Sequence, residues 1–383
     1  MATVLVVQRC WLTFQLAEII EAAWWQKVAP ETVVSGDAQP SGTGRLTVVP
    51  LSTRCGPRQA GVAWFQEQKE STMPTWVARR QTSRTAQNMR NYLSTDGERV
   101  FCWDNSILTT EPTPLEPAKT SEKWIRQYAK HHLRAREVAK AELEPGQCYP
   151  RIWRGERHPC AAFDDEDTCR RLIIEIQAAD LLLGKVRDVF GTVHPAGRNR
   201  HAYGHEIRSL LILACTEVES AWKAVLRASR YVPPAGGGRF WTTKDYVKLE
   251  RPMRLREWAV AMPLFPDYGA ILPFRRWKIA EPTASLRWYA AYNAAKHDRE
   301  ESFAEATLGM LVESAAAVFV MMAAQVGPRV LCERAHANRD FVIWREPNWG
   351  LSEEYVPPIS GLPSQGPLSL QRPRWNFVPY PFR

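Results

Sequence analysis

The run from Trp288 to Arg299, WYAAYNAAKHDR, concentrates the residue types best suited to chemistry. On a helix, Asn293 and His297 stand four residues apart and share a face, and Tyr289, Tyr292, Lys296 and Arg299 form the adjoining stripe. An imidazole can move a proton near neutral pH. An amide can hold that imidazole or a phosphate oxygen, and Lys or Arg can neutralise charge developing on phosphate. Together these are the parts of metal-free RNA cleavage, in which a base deprotonates the 2′-hydroxyl and cations stabilise the phosphorane. Taken alone, Asn293 and His297 also fit a plain pair of polar groups bonded to a neighbouring helix.

Other chemistry-bearing residues point less clearly. Glu217 and Glu219 lie inside the apolar run LLILACTEVESAW, where a carboxylate needs a partner. Glu217 could orient His297 or pair with Lys296 or Arg299, and a structural ion pair is the equal alternative. Cys148, His158, Cys160 and Cys169 lack a C-x-x-C knuckle, so they read as separate residues and not as a zinc set. A phosphate loop and a nucleophile elbow are both absent from the sequence, and GGGR at 236–239 reads as a turn. No cofactor or metal is expected.

Two helix pairs, LLILACTEVESAW in the first and YNAAKHDR followed by an apolar helix in the second, resemble the HEPN family (higher eukaryotes and prokaryotes nucleotide-binding) over about 160 residues. The resemblance implies a four-to-five-helix bundle, often a homodimer. Many members are metal-independent endoribonucleases of toxin, antiphage or stress systems, and others are silent RNA-, nucleotide- or protein-binding modules. The family motif runs Arg, then usually a polar residue such as Asn, then about three residues, then His. Asn293 and His297 fall on its Asn and His, whereas Tyr292 stands at its Arg position. Lys296 or Arg299 would then supply the charge. RHAYGH, Arg200 to His205, also spells Arg, four residues, His. It opens a helix, where capping is the simpler role, though Arg200 or His205 could approach the main site across the bundle.

The elements that must position these residues are mainly α-helical. Apolar residues at 172, 173, 176, 183, 186 and 190 follow helical spacing, and a second helix spans about 204–230. Helices resume at about 284–299 and 301–326. Between them, 239–283 reads as a β-hairpin insertion, with Trp258, Val260, Met262 and Leu264 alternating before a PDYG turn. Residues 167–344 therefore form the expected helical domain, with 167–230 and 284–327 as one bundle. Residues 1–145 make a poorly patterned N-terminal region, with helices expected at 11–29 and 119–143 and loop, short strand or disorder across 31–117. Residues 146–166 read as a linker. The Pro- and aromatic-rich tail, 345–383, should lie extended across the domain.

Bulk properties fit a soluble cytoplasmic protein. Hydrophobic residues make up 45% and charged residues 24% of 383, enough for an ordinary core. The net charge of +9 is spread along the chain, which permits RNA binding without demanding it. Eight scattered cysteines and no secretory signal suit reduced thiols. Residues 309–327 approach membrane-spanning length, but Glu313, Ser314 and Gln325 favour a buried bundle helix. The apolar surface of 301–326 also suits a homodimer.

Overall fold

The computed structural model describes residues 74–80, 90–104, 113–115, 119–155, 166–233, 241–334, 339–357 and 378–379. All lie within one compact unit, Ser71–Arg383. The helix expected at 11–29 lies outside the described residues.

The N-terminal part of this unit is a sheet. Strands β1 (Thr75–Arg80), β2 (Arg90–Thr95), β3 (Val100–Asp104), β4 (Thr113–Pro114) and β5 (Ala135–Lys140) pair antiparallel in the order β4-β3-β2-β1-β5. Each face is buried against a different neighbour. Trp76, Ala78 and Leu93 pack on Ile125 and Ala129 of helix α1 (Glu122–His131), while Val77, Tyr92 and Trp103 pack on Leu351 and Val356. The helix expected over 119–143 is thus confined to α1. Ser121 caps its start by accepting from the Trp124 N–H at 3.4 Å. After Arg134, which adopts a left-handed φ of 50°, the run AREVAK pairs with β1 as strand β5. Its helix-forming composition yields to a free sheet edge and to burial of Val138 in the apolar layer beneath α1.

Helices α2 (Glu166–Thr192), α3 (His205–Ala228), α5 (Arg287–His297) and α7 (Leu308–Val326) form the bundle, with α8 (Pro328–Arg334) beside α7. One continuous core joins them, so 167–230 and 284–327 pack together. On α2 the residues Leu172, Ile176, Ala179, Leu183, Val186 and Phe190 face inward at the spacing of a single helical stripe. Helix α7 is central and buried without a break from Ser314 to Val326. It is long and apolar enough to cross a membrane, but its side chains are taken up by the bundle. The apolar surface that suggested a dimer is therefore used within the chain. Thr307 caps its start by accepting from the Met310 N–H at 3.3 Å. Gly327, φ 88°, ends it where a Cβ would stand 2.7 Å from the Trp153 ring.

Between the helix pairs, residues 241–286 are mostly turns, with the short helix α4 (Thr243–Tyr246). The expected hairpin is reduced to one bridge, Val260 with Ile271, whose two N–H···O bonds measure 2.9 and 2.8 Å. Pro263, Pro266 and Pro273 lack the donors needed to extend it. Strand β7 (Ala259–Ala261) instead takes β8 (Val342–Arg345) as its antiparallel partner. Trp258, Val260 and Met262 are buried as the alternation implies, but Leu264 is 64% exposed. Residues 147–155, assigned by sequence to a linker, are held in the fold. Strand β6 (Gln147–Cys148) pairs with β9 (Val378–Pro379), and Arg151 and Arg154 are buried. Of the tail, residues 351–356 close one face of the sheet through Leu351 and Val356.

Candidate functional site

Helix α5 carries the residues of first interest. Trp288, Tyr289, Ala291, Tyr292 and Ala295 are buried, Asn293 is half-buried, and Lys296 and His297 are exposed. The Ala-rich sequence suits a helix, and basic residues in the last turn suit its dipole. The helix stops at Asp298, whose carboxylate accepts the Glu301 N–H at 3.1 Å and so caps the next short helix, α6 (Arg299–Ser302). Its C-terminal end is fastened from across the bundle. Arg208, on the first turn of α3, donates through Nε at 3.1 Å and Nη2 at 2.7 Å to the Ala295 carbonyl. The start of α3 and the end of α5 are thereby one structural unit.

Along the same pair of helices runs a polar stripe. The Tyr289 hydroxyl donates to Glu219 Oε1 at 2.6 Å, and Lys223 Nζ lies 3.4 Å from Glu219 Oε2. One turn on, Lys296 Nζ donates to the Tyr292 hydroxyl at 3.0 Å and lies 5.1 Å from that ring's centre. The two tyrosine rings are 5.4 Å apart. Burial, then the bond and charge of Glu219, push the Tyr289 phenol well above its ordinary range. The bond to Tyr292 raises the Lys296 ammonium, helped by the more distant Glu219 carboxylate. Both groups thus hold their protons across the neutral range. They make a fixed donor and a fixed cation, not a proton relay.

The sequence-picked residues divide accordingly. Asn293 and His297 lie on one uninterrupted helix, and their side chains make no hydrogen bond or ion pair with another of the described residues. Tyr292, at the motif's Arg position, is only 2% exposed and belongs to the core. Arg299 lies beyond the break at Asp298, so it does not continue the α5 stripe, and its side chain lies outside the described residues. Glu217 faces away from α5. Burial and the nearby Glu175 carboxylate on α2 raise it, and it neither orients His297 nor pairs with Lys296. Its neighbour Glu219 makes the contact with α5. His205, the first residue of α3, is exposed, with its ring 4.9 Å from Phe303 in the segment following α5. It thus shares a bundle end with His297. Arg200 turns elsewhere, donating through Nη2 to the Tyr268 carbonyl at 2.7 Å.

Arg208 escaped the sequence reading because its target is a main-chain carbonyl, which leaves no side-chain pattern. Glu219 was detectable. Residues 215, 218, 222 and 225 are buried on α3, and 219 is adjacent to that stripe whereas 217 is not. Among the described residues no three His, Cys, Asp or Glu side chains converge, and His158, Cys160 and the Cys169 side chain lie outside them. No protein-family model, curated protein or solved structure matches this chain.

Proposed function

We propose that this chain is a HEPN-like, metal-independent endoribonuclease whose site lies where the start of α3 meets the end of α5. The observation that carries the reading is the Arg208 clamp on Ala295, with exposed His205 and His297 at that same bundle end. His297 is the proton-transfer group and Asn293 positions it or the phosphate. Lys296, exposed and held by Tyr292, supplies the fixed positive charge. RNA is the substrate, the cytoplasm the place of action, and a toxin or defence effector the cellular role. The homodimer implied by the resemblance would complete the cleft.

The experiment compares wild type with His297→Ala by induced expression and total-RNA analysis, then with purified protein. Loss of a general acid–base group lowers the rate on the order of 10²–10⁴-fold. Because His297 is exposed, its melting temperature should stay near wild type. Unchanged cleavage, or an unfolded variant, would sink this assignment, and His205 would be the next residue to replace.

A second reading has its own support. Tyr292 fills the motif's Arg position with a buried phenol and engages Lys296. A wild-type protein that binds RNA and never cleaves it would be a silent HEPN-like binding module.

A further inference from the structure

A second group of cations lies at the far end of α3, where each is held on the face of an aromatic ring. Arg227, in the last turn of α3, sets its guanidinium carbon 5.9 Å from the centre of the Trp241 ring. Trp241 meets Tyr231 edge-on at 6.0 Å between centroids, and Lys248 Nζ lies 5.0 Å from the centre of the Tyr231 ring. The Tyr231 hydroxyl donates to Asp245 at 2.7 Å, and the Tyr246 hydroxyl donates to the Trp241 carbonyl at 3.2 Å, so both ring-bearing residues are tied to α4. Two cations and two rings thus form one connected layer. Tyr231 is buried, Trp241 and Lys248 are half-buried, and Arg227 is exposed.

The neighbouring acids do not close on these cations. Neither Arg227 nor Lys248 makes an ion pair among the described residues. Asp245 is taken up by Tyr231 and by the Thr242 N–H and hydroxyl, at 2.8 and 3.2 Å. Glu250 faces Arg256, 3.9 Å away. A guanidinium on an indole keeps its N–H edge for an oxyanion, and the pair offers flat surface to a nucleobase. The layer also continues the stripe between α3 and α5. Lys223 lies one turn before Arg227 on the same side of α3, and contacts lead from it through Glu219, Tyr289 and Tyr292 to Lys296. From Arg208 to Arg227 the helix rises about 28 Å.

We propose that the surface running from Lys296 through Lys223 to Arg227, Trp241 and Lys248 is a binding track for single-stranded RNA. Arg227 and Lys248 contact phosphates of the strand, and a base stacks on the Arg227–Trp241 pair. Cations alternating with flat groups along one ridge suit a strand whose bases are unstacked, whereas a duplex hides its base faces and offers only phosphates there. The choice of RNA rests on the endoribonuclease reading. The track itself does not need cleavage, so it is tested with a strand that cannot be cut through its 2′-hydroxyl.

The test is fluorescence anisotropy of the full chain with a labelled 2′-O-methyl oligouridylate of about 12 nucleotides, titrated at several salt concentrations. The Arg227→Gln/Lys248→Gln double variant keeps part of each stem over its ring and removes both charges. It should bind about 10- to 100-fold more weakly at low salt, with a plot of log affinity against log salt shallower by about 1.4, two phosphate contacts at about 0.7 each. Trp241→Leu should bind on the order of 10-fold more weakly with the slope unchanged, because it loses stacking and no charge. Trp241→Phe should recover part of that loss, which separates stacking from a role in folding alone. A double variant that matches wild type in affinity and slope overturns the proposal. So does wild-type binding of a duplex of the same length as tight as that of the single strand, and so does absence of binding by wild type. Wild type that binds through these residues yet cleaves no RNA would leave the track standing and sink the endoribonuclease reading. Cleavage by wild type with binding indifferent to all these variants would do the reverse.

Discussion

Replacing Arg208 by Met removes the guanidinium and keeps most of the side-chain stem. Two charge-assisted bonds, at 3.1 and 2.7 Å, end on one carbonyl. A hydrogen bond to a charged group contributes about 1.5–3 kcal/mol net. Ala295 is fully buried, so its freed carbonyl gains little from water, and a cation near a helix C-terminus adds about 0.3–1 kcal/mol. The expected loss is therefore about 2–3 kcal/mol. In a unit the size of Ser71–Arg383 that corresponds to roughly 3–5 °C in melting temperature. Thermal melting checks this, with Arg208→Lys expected between Met and wild type because the ammonium keeps the charge but not the fork. If the site lies where proposed, the Met variant should also lose RNA cleavage at temperatures where it stays folded. A Met variant melting within 1 °C of wild type (well inside the ~3 °C expected at least) would show that Arg208 does not fasten α5.

Two other outcomes follow from the packing and the charges. Trp222 stacks on Trp277 at 4.9 Å between centroids and touches Tyr246, Phe274, Trp288 and Tyr289, so Trp222→Ala should cost about 3–5 kcal/mol in urea denaturation. Asp245 is raised by burial but held below its ordinary value on balance by bonds from the Thr242 N–H at 2.8 Å and the Tyr231 hydroxyl at 2.7 Å. A lowered carboxylate stabilises the fold above its unfolded value, about 3.9, and loses that contribution as pH falls through its folded value. Asp245→Asn should therefore flatten the acid limb of stability below about pH 4, and an unchanged limb would refute its assignment.

The bundle was legible because its apolar residues keep one helical stripe. Leu172, Ile176, Leu183, Val186 and Phe190 announce α2 without help from any other element. The sheet was not legible, because β1 and β2 are covered on both faces and their inward polar residues mask any alternation. Arg90, Asn91, Ser94 and Thr95 are all buried in β2. Their partners make that tolerable: Thr75 bonds Ser94 at 2.9 Å, Arg80 bonds Asn91 at 2.6 Å, and Arg90 forks onto Glu354. Glu354 is 264 positions along the chain from Arg90, beyond the range of any local pattern. The excursion misled for a related reason. Trp258, Val260 and Met262 do alternate, but the partner strand is β8, and proline prevents the nearer segment from competing. Of the site, the residues on α5 could be found from spacing. Which acid meets them depended on whether 217 or 219 turns toward α5, a difference of about 200° around α3.

Tyr292 shows how the fold restricts the chemistry available to this site. Its ring is part of the core beside Tyr289, and only its hydroxyl reaches a polar neighbour, Lys296. An arginine at that position would carry its charge on a stem that starts inside the bundle, where an unpaired guanidinium costs several kcal/mol. Among the described residues, the acid beside the aromatic cluster of Trp222, Trp288 and Tyr289 is Glu219, which Tyr289 and Lys223 already occupy. If His297 serves a phosphate as proposed, the cation beside it must therefore come from the rim. Lys296 is one turn beyond Tyr292 and exposed, and its ammonium is raised above its ordinary value by its bond to the phenol beneath it. In this chain the phenol at the motif's Arg position cannot itself be the cation. Its contribution is to hold the lysine that can.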